Sequence, residues 1–209
     1  MAGTTFVLLR HGETALTAQK RFSGCGSGAA DPDLSDHGRR QAERAAAALA
    51  ELGAVSLVVT SPLARCRQTA AIVAARLGGL AVDVSDGLRE TAFGAWEGLT
   101  FAEVQARHPA ELNAWLASTA VPPPGGESFD EVATRVAATR DALLSRHPAR
   151  TLLLVTHVTP AKSLVRLALA APPESLHRMD LSPASLSSVT YYPDGNASVT
   201  LLNATAHLR

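Results

Sequence analysis

Apolar positions along this chain follow two rhythms. FVLL (6–9), SLVVT (56–60) and TLLLVT (151–156) are short unbroken runs of the kind found in strands covered on both faces. Longer stretches repeat every three to four residues instead. Ala42, Ala45, Ala46, Leu49 and Leu52 share one face of a helix over 35–53, which Gly53 stops. Ser61-Pro62 and Thr159-Pro160 each follow a strand and suit an N-cap and first helical position, predicting helices to about Leu77 and about Ala170. TFAE (100–103) and SFDE (128–131) match the capping box and predict two more helix starts.

Between these elements AVDVS (81–85) reads as a more exposed strand. GLRETAFGAWEGL (87–99) has neither period and reads as an ordered loop, and VPPPGGES (121–128) as a stiff one. SSVTYY and SVTLLN predict a closing hairpin around Pro193-Asp194-Gly195-Asn196. Strands alternating with helices predict an α/β fold: a three-layer α/β/α sandwich with a mainly parallel central sheet. The 209 residues are read as a single domain, 1–209.

Composition narrows the functions this fold can serve. Hydrophobic residues at 46% and charged residues at 18% suit a packed domain and not a disordered chain. Lys+Arg and Asp+Glu both total 19, so no overall basic field attracts nucleic acid. Any anion must be held by a few placed residues. Cys25 and Cys66 are too few for a disulfide framework and suit a reducing compartment. No run of about 18 uncharged apolar residues is present, and MAGTTFVLLRHGE lacks a basic n-region and a cleavage site. A cytoplasmic protein with no membrane partner is expected. No HExxH, DxDxDG or CxxC spacing occurs, so neither metal nor cofactor is expected.

Chemistry is concentrated where the strands should end. Arg10-His11 follows the first strand, Ser61 to Arg65 the second, and His157 the strand at 151–156. In open parallel sheets ligands collect beyond the carboxyl ends of the strands. If those strands are neighbours, two imidazoles and two guanidiniums converge there, joined by the N-termini of the following helices. Such a site wants a dianion, and phosphate is the obvious candidate.

Arg10-His11-Gly12 with Glu13-Thr14, SPLARCRQTA (61–70), LRETAFGAWEG (88–98) and VTH (155–157) together resemble the histidine phosphatase, or phosphoglycerate mutase-like, superfamily. The resemblance spans roughly Thr4 to Asn203. It implies that His11 attacks phosphorus and becomes phosphohistidine, that Arg10, Arg65 and His157 hold the phosphoryl group, and that Glu90 protonates the leaving oxygen and then activates water. Protonated Glu90 in the first step predicts a mildly acidic pH optimum. RFSG (21–24) fits the family's phosphate loop, giving Ser23 and Gly24 as phosphate contacts. Thr17 stands where an asparagine is common, and its hydroxyl is a further candidate. GCGSGAADPDLS (24–35) is longer than the family's usual segment and reads as a mobile rim. Val158 departs from the glycine that often follows the second histidine.

The variant motifs resemble the α-ribazole phosphatase-like branch, and in particular the acid phosphatase domain joined to RNase H in some bacteria. The expected activity is a metal-independent phosphomonoesterase acting on a small phosphate ester, with α-ribazole 5'-phosphate as the candidate substrate. The alternatives are a phosphoglycerate mutase and a non-catalytic phosphate-binding module. About 50 residues follow His157, short for the insertions and tail that shield a mutase intermediate, so hydrolysis is favoured. Excision from an RNase H fusion and a homodimer through the closing strand are left open. Arg89, Trp96, Lys162 and Arg166 either line the outer pocket or face solvent. Trp115 reads as core, and His37, His108, His147, His177 and His207 as residues without a role in the chemistry.

Overall fold

The computed structural model describes residues 2–26 and 28–209; Met1 and Ser27, the latter within the stretch 24–35 expected to be a mobile rim, lie outside the described residues. The strands are β1 (Thr4–Arg10), β2 (Leu57–Thr60), β3 (Val82–Val84), β4 (Thr151–Thr156), β5 (Leu186–Tyr191) and β6 (Ala197–Ala204). They form a six-stranded sheet in the order β3-β2-β4-β1-β5-β6. β3, β2, β4 and β1 are mutually parallel, and the closing hairpin adds β5 and β6 antiparallel. β1 and β4 lie inside the sheet with both faces covered, which explains their continuous apolar runs. β3 is an edge strand with Val82 and Val84 exposed.

The helices are α1 (Ala15–Ala18), α2 (Asp36–Leu52), α3 (Ala64–Arg76), α4 (Phe101–Arg107), α5 (Pro109–Ala117), α6 (Phe129–Arg146) and α7 (Val158–Ala168). α2 and α3 pack Ala45, Leu49, Ala70 and Val73 against Val7, Leu9, Val58 and Val155. On the opposite face α6 and α7 pack Val132, Val136, Leu164 and Val165 against Phe6, Leu8, Leu152 and Leu154. Neighbouring strand residues divide between the two cores because successive side chains leave opposite faces of a sheet. Each fully buried Leu or Val contributes about 2 kcal/mol by leaving water, enough in sum to hold both helical layers on the sheet. This is the expected three-layer sandwich. Among the described residues no helix is long and apolar enough to cross a membrane.

Local signals account for most helix ends. Ser35 caps α2 by accepting the Gly38 N–H at 3.0 Å, and Gly53 closes it at φ 62°. Thr100 with Glu103, and Ser128 with Glu131, form the two capping boxes read from the sequence. The helix opened by Thr100 breaks at His108, because Pro109 has no N–H to continue it, and α5 starts afresh there.

Two expected starts are displaced by tertiary contacts. α3 begins at Ala64 and not at Ser61-Pro62; the Asp31 carboxylate accepts the Ala64 N–H at 2.9 Å, leaving the Ser61 hydroxyl for other use. α7 begins at Val158, which puts Thr159-Pro160 inside its first turn. The remote Glu90 carboxylate accepts the N–H groups of Val158 and Thr159 at 3.1 and 3.2 Å, doing the work assigned to a local cap. The loop 87–99 is ordered as expected, with short 3-10 turns at Asp86–Leu88 and Gly94–Trp96.

Candidate active site

β2, β4 and β1 are adjacent and parallel, so Ser61, His157 and His11 emerge side by side at their carboxyl ends. The following Gly12 is required by packing: a Cβ there would sit 2.3 Å from the Gly38 carbonyl of α2. This close approach fixes where His11 leaves the sheet. Its Nδ1 lies 2.7 Å from the Gly12 carbonyl. A carbonyl only accepts, so Nδ1 carries the proton and Nε2 keeps its lone pair. Burial and the Arg65 and Arg10 guanidiniums hold the pKa of His11 well below the usual 6.5, leaving the ring neutral at pH 7. A neutral imidazole with a fixed tautomer is what nucleophilic attack needs.

His157 packs edge-on against His11, with ring centroids 5.1 Å apart. Arg65 donates its Nε–H to His157 Nδ1 at 3.3 Å, so the proton of His157 is on Nε2, which donates to Ser61 Oγ at 2.8 Å. Desolvation and the nearby Arg65 also hold the pKa of this ring well below 6.5. The Arg65 side chain is fully buried. It donates to the carbonyls of Ser23 and Gly24 at 3.0 and 3.2 Å and lies 3.5 Å from the Asp31 carboxylate. The last residue of β1, Arg10, donates to the Leu181 carbonyl, while its buried Nε has no protein partner among the described residues. Burial lowers its pKa.

Glu90 is 5% exposed, and its carboxylate accepts the N–H groups of Thr91, Val158 and Thr159. Val158 therefore needs no glycine: its φ is negative, and its N–H is directed to Glu90.

A cleft of about 310 Å³ opens above these groups. Arg10, His11 and Glu90 form its floor with Thr159, while Thr17 and Ser23 face it from the side. Ser23 Oγ is buried and unpartnered among the described residues, which leaves a hydroxyl to meet a ligand. Thr17 lines the cleft, but its hydroxyl is engaged by Thr14, accepting from the N–H at 2.8 Å and donating to the carbonyl at 3.0 Å. Gly24 does not reach the cleft as a donor. Its N–H goes to Glu97 at 2.9 Å, and a Cβ there would lie 2.1 Å from the Thr91 carbonyl, so this glycine serves packing. Arg65 and His157 stand behind the floor, bracing it. The 24–35 stretch, expected to be a rim, is tied to α3 through Asp31 and Asp33, which accepts from Gln68.

The aromatic part of the outer wall had no sequence signal. Phe22, Phe93, Trp115 and Phe129 line it from four separate segments, with Lys162 and His177 facing the same space. Trp115 belongs to both core and cleft, packing on Phe129 at 5.0 Å and on His177 at 5.9 Å. His177, read as a residue without a role in the chemistry, lines the cleft. Of the four residues read as lining the outer pocket or facing solvent, Lys162 faces the cleft, while Arg89, Trp96 and Arg166 are not among the residues that line it. Trp96 is fully buried and belongs to the core. Among the described residues no group of three or more His, Cys, Asp or Glu is arranged to hold a metal.

Comparison with known proteins agrees with this geometry. The family described as histidine phosphatase superfamily (branch 1) matches residues 6–205. A bifunctional protein of Mycobacterium tuberculosis is 49% identical over 205 residues, 98% of this chain and 55% of its own length. The chain thus spans about half the length of these curated relatives. Phosphoserine phosphatase 1 of Hydrogenobacter thermophilus is 29% identical, with 97% of this chain and 93% of that protein covered. A mycobacterial glucosyl-3-phosphoglycerate phosphatase, solved in complex with VO3, is 32% identical with a TM-score of 0.86, covering 96% of this chain and 99% of that one. Motifs, sheet order and relatives agree: the chain belongs to the histidine phosphatase superfamily, branch 1.

Proposed function

We propose that this domain is a phosphoric monoester hydrolase that passes the phosphoryl group of a small ester to His11 and then to water. One observation carries the reading: His11 donates through Nδ1 to its own loop carbonyl and keeps an unprotonated Nε2 on the floor of a cationic cleft. In the first step Nε2 forms a bond to phosphorus as the ester P–O bond breaks, and Glu90 gives a proton to the departing oxygen. In the second, Glu90 accepts a proton from water as it attacks phosphohistidine, releasing phosphate and restoring both groups. Charge on the transferring oxygens is met by Arg10, by Arg65 with His157 behind the floor, and by the Ser23 hydroxyl. No step calls for a metal. Suppression of His11 protonation below pH 6.5 supports an optimum on the acid side.

The named phosphatases among the relatives support hydrolysis over mutase chemistry. The aromatic outer wall supports α-ribazole 5'-phosphate, whose leaving group carries a flat base, over 3-phosphoglycerate as substrate. The bifunctional relative, of which this chain covers 55%, has room for the second domain that the resemblance to RNase H fusions implies. The free thiols of Cys25 and Cys66 suit the cytoplasm.

The test is phosphate release in EDTA from α-ribazole phosphate, 3-phosphoglycerate and p-nitrophenyl phosphate by wild type and His11→Ala. Release that depends on His11 is expected, with α-ribazole phosphate preferred. No release by folded wild type would support the binding-module alternative, and transfer to an acceptor without free phosphate the mutase.

A further inference from the structure

We infer that Arg135, locked by Glu127, is the positioning residue that holds the proton donor Glu90 in place; the inference rests on the role proposed for Glu90. Arg135 lies on α6, far from the motifs that carry the chemistry, and its side chain does not line the cleft. Its guanidinium nevertheless serves the backbone of the Glu90 loop. Nη1 donates to the carbonyls of Gly87 and Arg89 at 2.9 and 2.8 Å, and Nη2 to the carbonyl of Glu90 itself at 3.1 Å. Nε and Nη2 donate to the two oxygens of Glu127, both at 2.8 Å. All five guanidinium N–H groups are thereby used.

The arrangement is specific in three ways. Both side chains of the pair are largely buried, at 17% and 19% exposure, so water screens them little. The fork geometry fixes the plane of the guanidinium, and that plane fixes three carbonyls within four residues of loop. Glu127 also ties its own N–H to the Ala92 carbonyl at 2.8 Å, holding the loop on the far side of Glu90. Thr156, the last residue of β4, adds a hydroxyl donation to the Leu88 carbonyl at 2.8 Å. A loop without helix or strand period is thus held at residues 87 to 92, and the single carboxylate at its centre is delivered to the N-terminus of α7 beside His11.

A displaced acid is felt according to how much protonation the leaving group needs. Alkyl phosphates depart as poor leaving groups and depend on the acid; p-nitrophenyl phosphate departs as a stable anion and does not. Arg135→Lys keeps the charge without the fork, and Glu127→Gln removes the carboxylate that fixes the fork while the three loop carbonyls still accept from the guanidinium. Either variant is therefore expected to lower kcat/KM, which reports phosphoryl transfer to His11 and not the shared hydrolysis of phosphohistidine, about tenfold more for glycerol phosphate than for p-nitrophenyl phosphate. Glu90→Gln is expected to show the same selective loss, and Arg135→Lys added to it no further selectivity. Thermal unfolding of each variant confirms that it is folded at the assay temperature.

Equal losses on both esters, or additive selectivity in the double variant, would reduce Arg135 to a structural residue and overturn the inference while the role of Glu90 stands. An unselective Glu90→Gln would remove the proton-donor reading itself, and the inference with it.

Discussion

The floor of the cleft and its outer wall are built by opposite means. The floor is made of polar residues, Arg10 and His11 at the end of β1 with Glu90 and Thr159. It is braced from behind by fully buried His157 and Arg65, and each imidazole tautomer is set by its hydrogen bonds. The wall is a cluster of rings from segments distant in sequence, where Phe22, Phe93, Trp115 and Phe129 support one another through contacts of about 5 to 6 Å. Hydrogen bonds are directional and fail when one atom moves, whereas apolar contacts adapt. On the proposed reading the floor serves one reaction and the wall a choice among leaving groups. Substitutions should separate the two regions: floor variants lose kcat or stability, and wall variants change KM.

The sharpest break is at His11. On the proposed reading His11→Ala removes the nucleophile and is expected to lower kcat by roughly a thousandfold or more, with phosphohistidine no longer trapped on acid-free quenching. Residual turnover within tenfold of wild type would move the nucleophile elsewhere. Next comes Arg65→Leu, which leaves the Ser23 and Gly24 carbonyls and His157 Nδ1 without their donor. A stability loss of about 3 kcal/mol is expected from urea unfolding, together with loss of activity. A variant as stable as wild type would show that the buried guanidinium is not structural.

The pH dependence of stability probes the same floor. His11 and His157 have folded pKa values well below 6.5, so below that pH the unfolded chain binds protons that the folded one does not. Their contribution is complete above about pH 6.5 and is lost as pH falls toward the folded values, at about 1.4 kcal/mol per pH unit for each ring. Denaturant titrations between pH 7 and 5 should show His157→Gln with the shallower decline; parallel curves would mean that the ring titrates normally. The smallest effect is expected at the wall. Trp115→Leu should raise KM for an ester with a bulky ring severalfold while kcat changes less than twofold. A large fall in kcat would place Trp115 with the floor.

Much of the floor was legible because strand ends are legible. FVLL and TLLLVT announce interior strands, and in a parallel sheet the residues after them, Arg10-His11 and His157, must meet if the strands are neighbours. That they are neighbours is a fact of topology, with β4 paired to both β1 and β2. The displaced helix starts show the limit of local signals. Ser61 and Thr159 carry cap chemistry, yet Asp31 and Glu90 take that work from a distance, since a helix N-terminus accepts any suitably placed carboxylate. Gly24 misled in the same way: its N–H was claimed by Glu97, 73 positions away.

The amino-acid order alone thus determined the layered α/β architecture, the two histidines and the guanidiniums, because hydrophobic period and motif chemistry are local properties. Tertiary structure decided which groups face the cleft and which brace it. It also decided that Arg135 reaches the Glu90 loop and that four separated rings form a wall. Those outcomes depend on long-range packing and on competition among hydrogen-bond partners, and neither leaves a period in the sequence.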